Sequence, residues 1–325
     1  MDPRKIFDIQ TANDFKECIL EAFNYQYANN AVYKQFCELL RLSPKVVKDI
    51  KDIPFLPIQF FKEQTIITAG HTAETIFTSS GTTGMTTSKH HVADLSLYEK
   101  SFKAAFDLFY GKPQEYCVLA LLPAYLERTG SSLIYMVDHL IKDSKHPDSG
   151  FYLNDLAALA QKLKTLDQQG QKVLLIGVSF ALLDLVETYD FDLNNTIIME
   201  TGGMKGRRKE LIREELHEIL SKGFGVSQIH SEYGMTELLS QGYSNGNGIF
   251  TTPPWMKIML RDTEDALSYV AEGRTGGINV IDLANWYSCP FIATQDLGRN
   301  LGNNHFEVLG RFDTADIRGC NLMVL

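Results

Sequence analysis

The run Thr78-Ser79-Ser80-Gly81-Thr82-Thr83-Gly84, followed by Ser88-Lys89, packs five hydroxyls and two glycines into seven positions behind the β-prone Thr75-Ile76-Phe77. Glycines let backbone N–H groups converge on an anion, hydroxyls add donors, and the lysine adds charge, which together make a phosphate cradle. The order is neither a Walker A loop nor a dinucleotide fingerprint. By composition alone the same run also reads as a surface turn rich in Ser and Thr.

Other residues could do chemistry. In Ser231-Glu232-Tyr233-Gly234-Met235-Thr236-Glu237 a carboxylate and a hydroxyl oxygen stand side by side, a pair suited to a hard cation, although a Tyr-Gly turn before a helix is the plain alternative. Thr201-Gly202-Gly203-Met204 is a glycine turn that admits close backbone approach. Lys205, Arg207, Arg208 and Lys209 after it either open an anion-favouring helix N-terminus or form a solvated face. Gly177-Val178-Ser179-Phe180-Ala181 is a strand-to-helix turn that degenerately resembles a nucleophile elbow, with Ala181 in place of the second glycine and Asp184 to Asp192 and His217 or His230 downstream, and it keeps a serine hydrolase reading open. His90 and His91 read as hydrogen-bonded surface residues. The five cysteines include no C-x-x-C pair, so neither a disulfide framework nor a zinc site is indicated. Cys18, Cys37, Cys117 and Cys289 sit in apolar or aromatic surroundings and read as inert; Cys320 does not share that setting.

These residues need elements to position them. Helical spacing of apolar residues from Ala12 to Ile50 predicts a helical N-terminal region. Two prolines between Ile53 and Lys62 predict an extended segment that leads toward the Thr78 loop, and Ser96 to Phe109 reads as an amphipathic helix. Strand-like runs (Tyr116 to Leu122, Val173 to Val178, Thr196 to Glu200, Gly277 to Asp282) alternate with helical ones (Leu153 to Leu166, Lys209 to Leu220), which predicts α/β with buried strands. Gly242 to Pro254, rich in Gly, Asn and Pro, reads as a surface loop.

The chain has 325 residues, 44% of them hydrophobic, enough for a sizeable core. A formal charge of −9 argues against nucleic-acid binding, which needs a basic face. The absence of a signal-like start and of an apolar run long enough to span a bilayer points to a cytoplasmic protein with no membrane span.

In order as well as composition, Ser80-Gly81-Thr82-Thr83-Gly84 resembles the phosphate loop of the acyl-adenylate-forming superfamily. Tyr233 to Glu237 follows in that family's order. Thr294-Gln295-Asp296 is similar to the family's Thr-Gly-Asp, with Gln295 in place of glycine, and Gly310-Arg311-Phe312-Asp313 to its hinge segment. The matches run from Ile53 to Cys320. The resemblance implies ATP and Mg2+ as cofactors and a carboxylic acid as substrate. It implies that Thr78, Ser79, Ser80, Gly81, Thr82, Thr83 and Gly84 hold phosphate, with Lys89 as a more distant lysine. Gly202, Gly203, Tyr233 and Gly234 would meet adenine, Thr236 and Glu237 phosphate and magnesium, and Asp296 and Arg311 the ribose; Tyr125 and Arg128 would line the acid pocket.

Relatives continue past the hinge into a small mobile domain carrying a catalytic lysine, whereas this sequence ends at Leu325. The expectation is therefore α/β, a large adenylate-forming N-terminal-domain architecture with mixed β-sheets flanked by helices and lacking that domain. Lys89, Lys205 or a partner would stand in for the lysine. The expected organisation is 1–52 as a helical region of the same domain, 53–311 as the core and 312–325 as a tail. A tail bearing Cys320 is similar to the LuxE-type acyl-protein synthetases, in which a cysteine near the C-terminus takes the acyl group for hand-off to a reductase-like partner. Cys320 reads equally as a buried cysteine in a terminal strand. Besides a ligase of the acyl-protein synthetase type, three readings stay open: an acyl- or aryl-CoA ligase using coenzyme A, a catalytically weak nucleotide-binding subunit, and a serine hydrolase using Ser179.

Overall fold

The structure, a computed structural model, describes residues 2–79, 87–122, 130–202 and 211–311. They divide into two compact units: one formed by residues up to Tyr98, Glu237–Ser240 and from Thr251 onward, the other by Glu99–Thr236 and Gln241–Phe250.

The second unit is built on parallel strands in the order Gly150–Phe151, Cys117–Leu121, Val173–Gly177, Thr196–Thr201 and His230–Tyr233, with Gly242–Ser244 antiparallel beside the last. Every residue of Cys117–Leu121 and Val173–Gly177 is buried, as continuous apolar runs require when both faces of a sheet are covered. Between the strands run the helices Ser132–Ser144, Leu156–Gln168, Ser179–Thr188 and Arg213–Phe224. The Asp167 carboxylate accepts from the amides of Asn194 and Asn195 and from the Thr196 hydroxyl, and so fixes where Thr196–Thr201 starts.

Two predictions about this unit are corrected. The helix expected from Lys209 begins at Arg213, after an extended Ile212 that makes no side-chain cap. The loop expected over Gly242 to Pro254 contains the strands Gly242–Ser244 and Ile249–Thr251; the positive-φ residues Gly246, Asn247 and Gly248 only make the turn between them. Gly and Asn content therefore marked a hairpin turn, while Tyr243 and Phe250 on either side are buried.

The first unit opens with the helices Ala12–Asn29 and Ala31–Leu39, the former started by a Thr11–Asp14 capping box. Gln26 donates to the Trp286 carbonyl and Asn30 to that of Ser288, so buried amides anchor the helices to the loop after Asp282. Met256–Arg261, Thr275–Asp282, Phe291–Gly302 and His305–Arg311 form an antiparallel meander, and Leu56–Pro57 joins Phe291–Gly302 in parallel. The Ile53 to Lys62 segment is thus extended only at its centre, with the one-turn helix Phe60–Glu63 after it. Thr75–Thr78 and Lys89–Val92 pair as a separate hairpin. The fold is α/β with mixed strands flanked by helices, as expected.

Candidate functional site

In the first unit the hairpin carries both ends of the hydroxyl-rich loop. Phe77 and His90, directly opposed, are buried, so Thr78 and Lys89, the next opposed pair, project from the other face of the ribbon. The Ser79 amide donates to the Ser88 carbonyl (3.1 Å), and the Ser88 amide to the Ser79 hydroxyl (2.9 Å). Lys89, remote from the loop in sequence, therefore stands opposite its first residue. His90 is hydrogen-bonded to Ser288 (2.9 Å) but is core rather than surface, because strand alternation turns it inward. Ser80, Gly81, Thr82, Thr83 and Gly84 lie outside the described residues.

Glu237 is 5% exposed. Burial raises its pKa, opposed by a hydrogen bond with the Ser88 side chain and by the positive charges of Arg311 and Lys62. One carboxylate thus bonds Ser88 at the end of the loop and lies in the field of Arg311 in the hinge-like segment and of Lys62 in the Phe60–Glu63 turn. Lys62 was not singled out by motif reading; its only sequence signal was its place in the aromatic segment before the loop. A buried carboxylate with raised pKa, beside a hydroxyl, fits a divalent cation, which would keep it ionised. No three His, Cys, Asp or Glu residues gather as a metal cage among the described residues, and magnesium on a nucleotide needs only one or two carboxylates.

The backbone under Glu237 is fixed as well. The Asp282 carboxylate accepts from the Leu239 and Ser240 amides (2.7 and 3.0 Å), from the Ser240 hydroxyl (2.6 Å) and from Ala284 N–H (3.1 Å). Asn285 donates to the Glu237 carbonyl (2.8 Å). Burial pushes Asp282 up to about 6 against these bonds.

Asp296 and Arg311 are cross-strand partners, 3.6 Å apart between Oδ1 and Nε. The side chain of Asp296 is 13% exposed and that of Arg311 73%.

In the second unit Gly202 takes φ +68° at the end of Thr196–Thr201, as a glycine turn needs. Ser179 is buried and donates to the Gly202 carbonyl (2.7 Å) and to Glu200 (3.3 Å). An elbow nucleophile needs an imidazole on its oxygen and a strained backbone. Here the hydroxyl is bonded to a carbonyl and a carboxylate, and the extended Val178 leads directly into the helix Ser179–Thr188. Ser179 ties the glycine turn to a helix; the hydrolase reading is set aside.

Tyr233 is 7% exposed, with its ring 6.0 Å from that of Phe250 at 66°. Before it, Glu232 accepts from Thr201 (2.6 Å), and burial raises its carboxyl to about 7. A Cβ on Gly234 would lie 2.3 Å from Glu232 Oε1, so this glycine answers to a buried carboxyl that motif reading missed. Thr236 is half-buried. Gly203, Lys205, Arg207, Arg208, Lys209, Tyr125, Arg128 and Cys320 lie outside the described residues. Cys18, Cys37, Cys117 and Cys289 are buried with raised pKa values, about 12 for Cys37 and about 11 for Cys117, as inert thiols should be. No helix among the described residues is long and apolar enough to cross a membrane.

Residues 2–103 match the family model "Acyl-protein synthetase, LuxE". The long-chain-fatty-acid–luciferin-component ligase of Vibrio harveyi is 26% identical, aligned over 93% of this chain and 84% of that protein. Among solved structures, 2-hydroxyisobutyryl-CoA ligase in complex with 2-HIB-AMP and CoA superposes with a TM-score of 0.65 at 11% identity, covering 93% of this chain and 70% of that one. ATP-bound MatB from Rhodopseudomonas palustris gives 0.54 at 18% identity, covering 73% and 47%. The chain is thus similar in sequence to the LuxE-type acyl-protein synthetases and has the fold of adenylate-forming ligases.

Proposed function

We propose that this chain is an AMP-forming ligase that uses ATP to activate a carboxylic acid, a long-chain fatty acid by analogy with the named substrate of the Vibrio relative, and then passes the acyl group to a thiol. The observation that carries this reading is the buried Glu237 carboxylate bonded by Ser88 and within the field of Arg311, because it joins three separately read motifs in one unit.

In this reading an oxygen of the acid attacks the α-phosphorus of ATP, the bond to the bridging oxygen breaks, and pyrophosphate leaves. Thr78 to Gly84 and Lys89 hold phosphate and offset charge developing on it. Asp296 and Arg311 hold the ribose, and Gly202, Gly203, Tyr233 and Gly234 receive adenine. Tyr125 and Arg128 line the acid site. Glu237 and Thr236 would hold magnesium, which would supply charge neutralisation for the phosphates. Cys320 thiolate then attacks the acyl carbon and AMP departs, leaving a thioester for a reductase-like partner. Coenzyme A is the alternative acceptor, a reading favoured by the ligand of the 2-hydroxyisobutyryl-CoA ligase neighbour.

The test is ATP–pyrophosphate exchange across a panel of acids for the parent and Cys320→Ser, with intact mass of each product. Exchange in both, with an acyl-enzyme mass only in the parent, is expected. Exchange with no acid would sink adenylation; an acyl-enzyme retained in Cys320→Ser would sink the role of Cys320, and acyl-CoA formation by Cys320→Ser would favour coenzyme A.

A further inference from the structure

The strand Phe291–Gly302 breaks register against Thr275–Asp282 at one place: Gly277 opposes Leu297 and Asn279 opposes Ala293. Three residues, Thr294, Gln295 and Asp296, therefore stand against the single Ile278. Such a bulge frees backbone groups from the ladder, and buried ones must find other partners. Arg261, on the strand beyond, supplies them. Its Nη2 donates to the Thr294 carbonyl (2.5 Å), and its Nη1 to the Ile278 carbonyl (2.9 Å) and to Asn279 Oδ1 (2.8 Å). The Thr294 hydroxyl completes the set, donating to the Ile278 carbonyl (2.9 Å) and accepting from the Asp296 amide (3.1 Å).

Arg261 is 8% exposed, and its path is cut for it: a Cβ on Gly277 would lie 2.7 Å from its Cζ. A guanidinium suits this place because its planar fork reaches two carbonyls on different strands and an amide oxygen at once, which an ammonium cannot. The last residue of the bulge is Asp296, which faces Arg311 on the other side of its strand.

The geometry points to Arg261 as a positioning residue of the nucleotide site: it locks the bulge that presents Asp296 to the ribose. The inference rests on the proposed ATP-dependent reading for its ligand, but the lock itself is a property of the unliganded chain.

The test uses the full chain with Arg261→Met, Arg261→Lys, Asp296→Ala and the Arg261→Met/Asp296→Ala pair. Without nucleotide, hydrogen exchange of the Asp296 and Leu297 amides is expected to speed up at least tenfold in Arg261→Met, with the amides of Cys117–Leu121 unchanged. In ATP–pyrophosphate exchange, Arg261→Met is expected to raise KM for ATP about tenfold with kcat within threefold, Arg261→Lys to fall between parent and Met, and Asp296→Ala to add less than twofold to Arg261→Met. Unchanged amide exchange at the bulge, or multiplicative effects of the two substitutions on KM, would overturn the inference. Should Arg261→Met fail to fold, Gly277→Ala, which crowds the guanidinium out, is judged by the same two measurements. Should the parent bind no ATP, the proposed function fails while amide exchange still decides the lock.

Discussion

Asp296 and Arg311 oppose each other across two antiparallel strands, the aspartate side chain nearly covered and the arginine side chain mostly in solvent. An ion pair open to water on one side contributes little to folding, at most about 1 kcal/mol. The value of this pair lies in what it presents, a covered carboxylate beside an exposed cation.

Asp296→Asn should therefore leave thermal unfolding within about 2 °C of the parent and raise KM for ATP roughly tenfold, the worth of a charge-assisted hydrogen bond to a ribose hydroxyl. Isothermal titration with ATP and a melting curve check both halves. An unchanged affinity would remove Asp296 from the site.

Glu237→Gln should lower magnesium-dependent pyrophosphate exchange by about 10²- to 10³-fold while the protein melts at the same temperature or higher. Burial makes the carboxylate costly in the absence of a cation, and the amide lacks that cost. A large loss of stability would mean that Glu237 serves the fold instead.

Stability should depend on pH through Glu232, whose carboxyl is raised from 4.5 to about 7 by burial. Below pH 4.5 both folded and unfolded chains hold the proton. Between 4.5 and 7 only the folded chain does, so stability falls as pH rises through this window and levels off above it, by on the order of 3 kcal/mol. Urea unfolding at pH 5 and pH 8 should show the fall in the parent and a smaller one in Glu232→Gln. A residual slope below pH 6 is expected from Asp282, raised to about 6. Equal slopes in parent and variant would refute the assignment.

A fluorophosphonate probe should leave Ser179 unlabelled, because the hydroxyl is buried against Gly202 and Glu200. Ser179→Ala should cost about 1–2 kcal/mol of stability and loosen the glycine turn. Labelling that vanishes in Ser179→Ala would restore the hydrolase reading.

The parallel strands were legible because fully buried strands leave continuous apolar runs, as in Val173–Gly177. Gly242 to Pro254 was misread because turn-forming residues outnumber the buried Tyr243 and Phe250 that make it a hairpin. Of the candidate site residues, Glu237, Asp296 and Arg311 were singled out by motif order. Ser88 bonding Glu237, Lys62 near it and Asp282 beneath it were not, since such partnerships join positions tens of residues apart and leave no local pattern. Arg261 was hidden for the same reason: nothing in Met256–Arg261 signals that its last residue closes a gap two strands away.

The Asp282 carboxylate that gathers the Leu239 and Ser240 amides joins positions 43 and 42 residues apart in the chain. Closing so long a loop is slow beside forming helices or hairpins. On refolding from denaturant, the geometry around Glu237 should thus mature late, with ATP binding returning after the far-ultraviolet circular dichroism signal has already recovered.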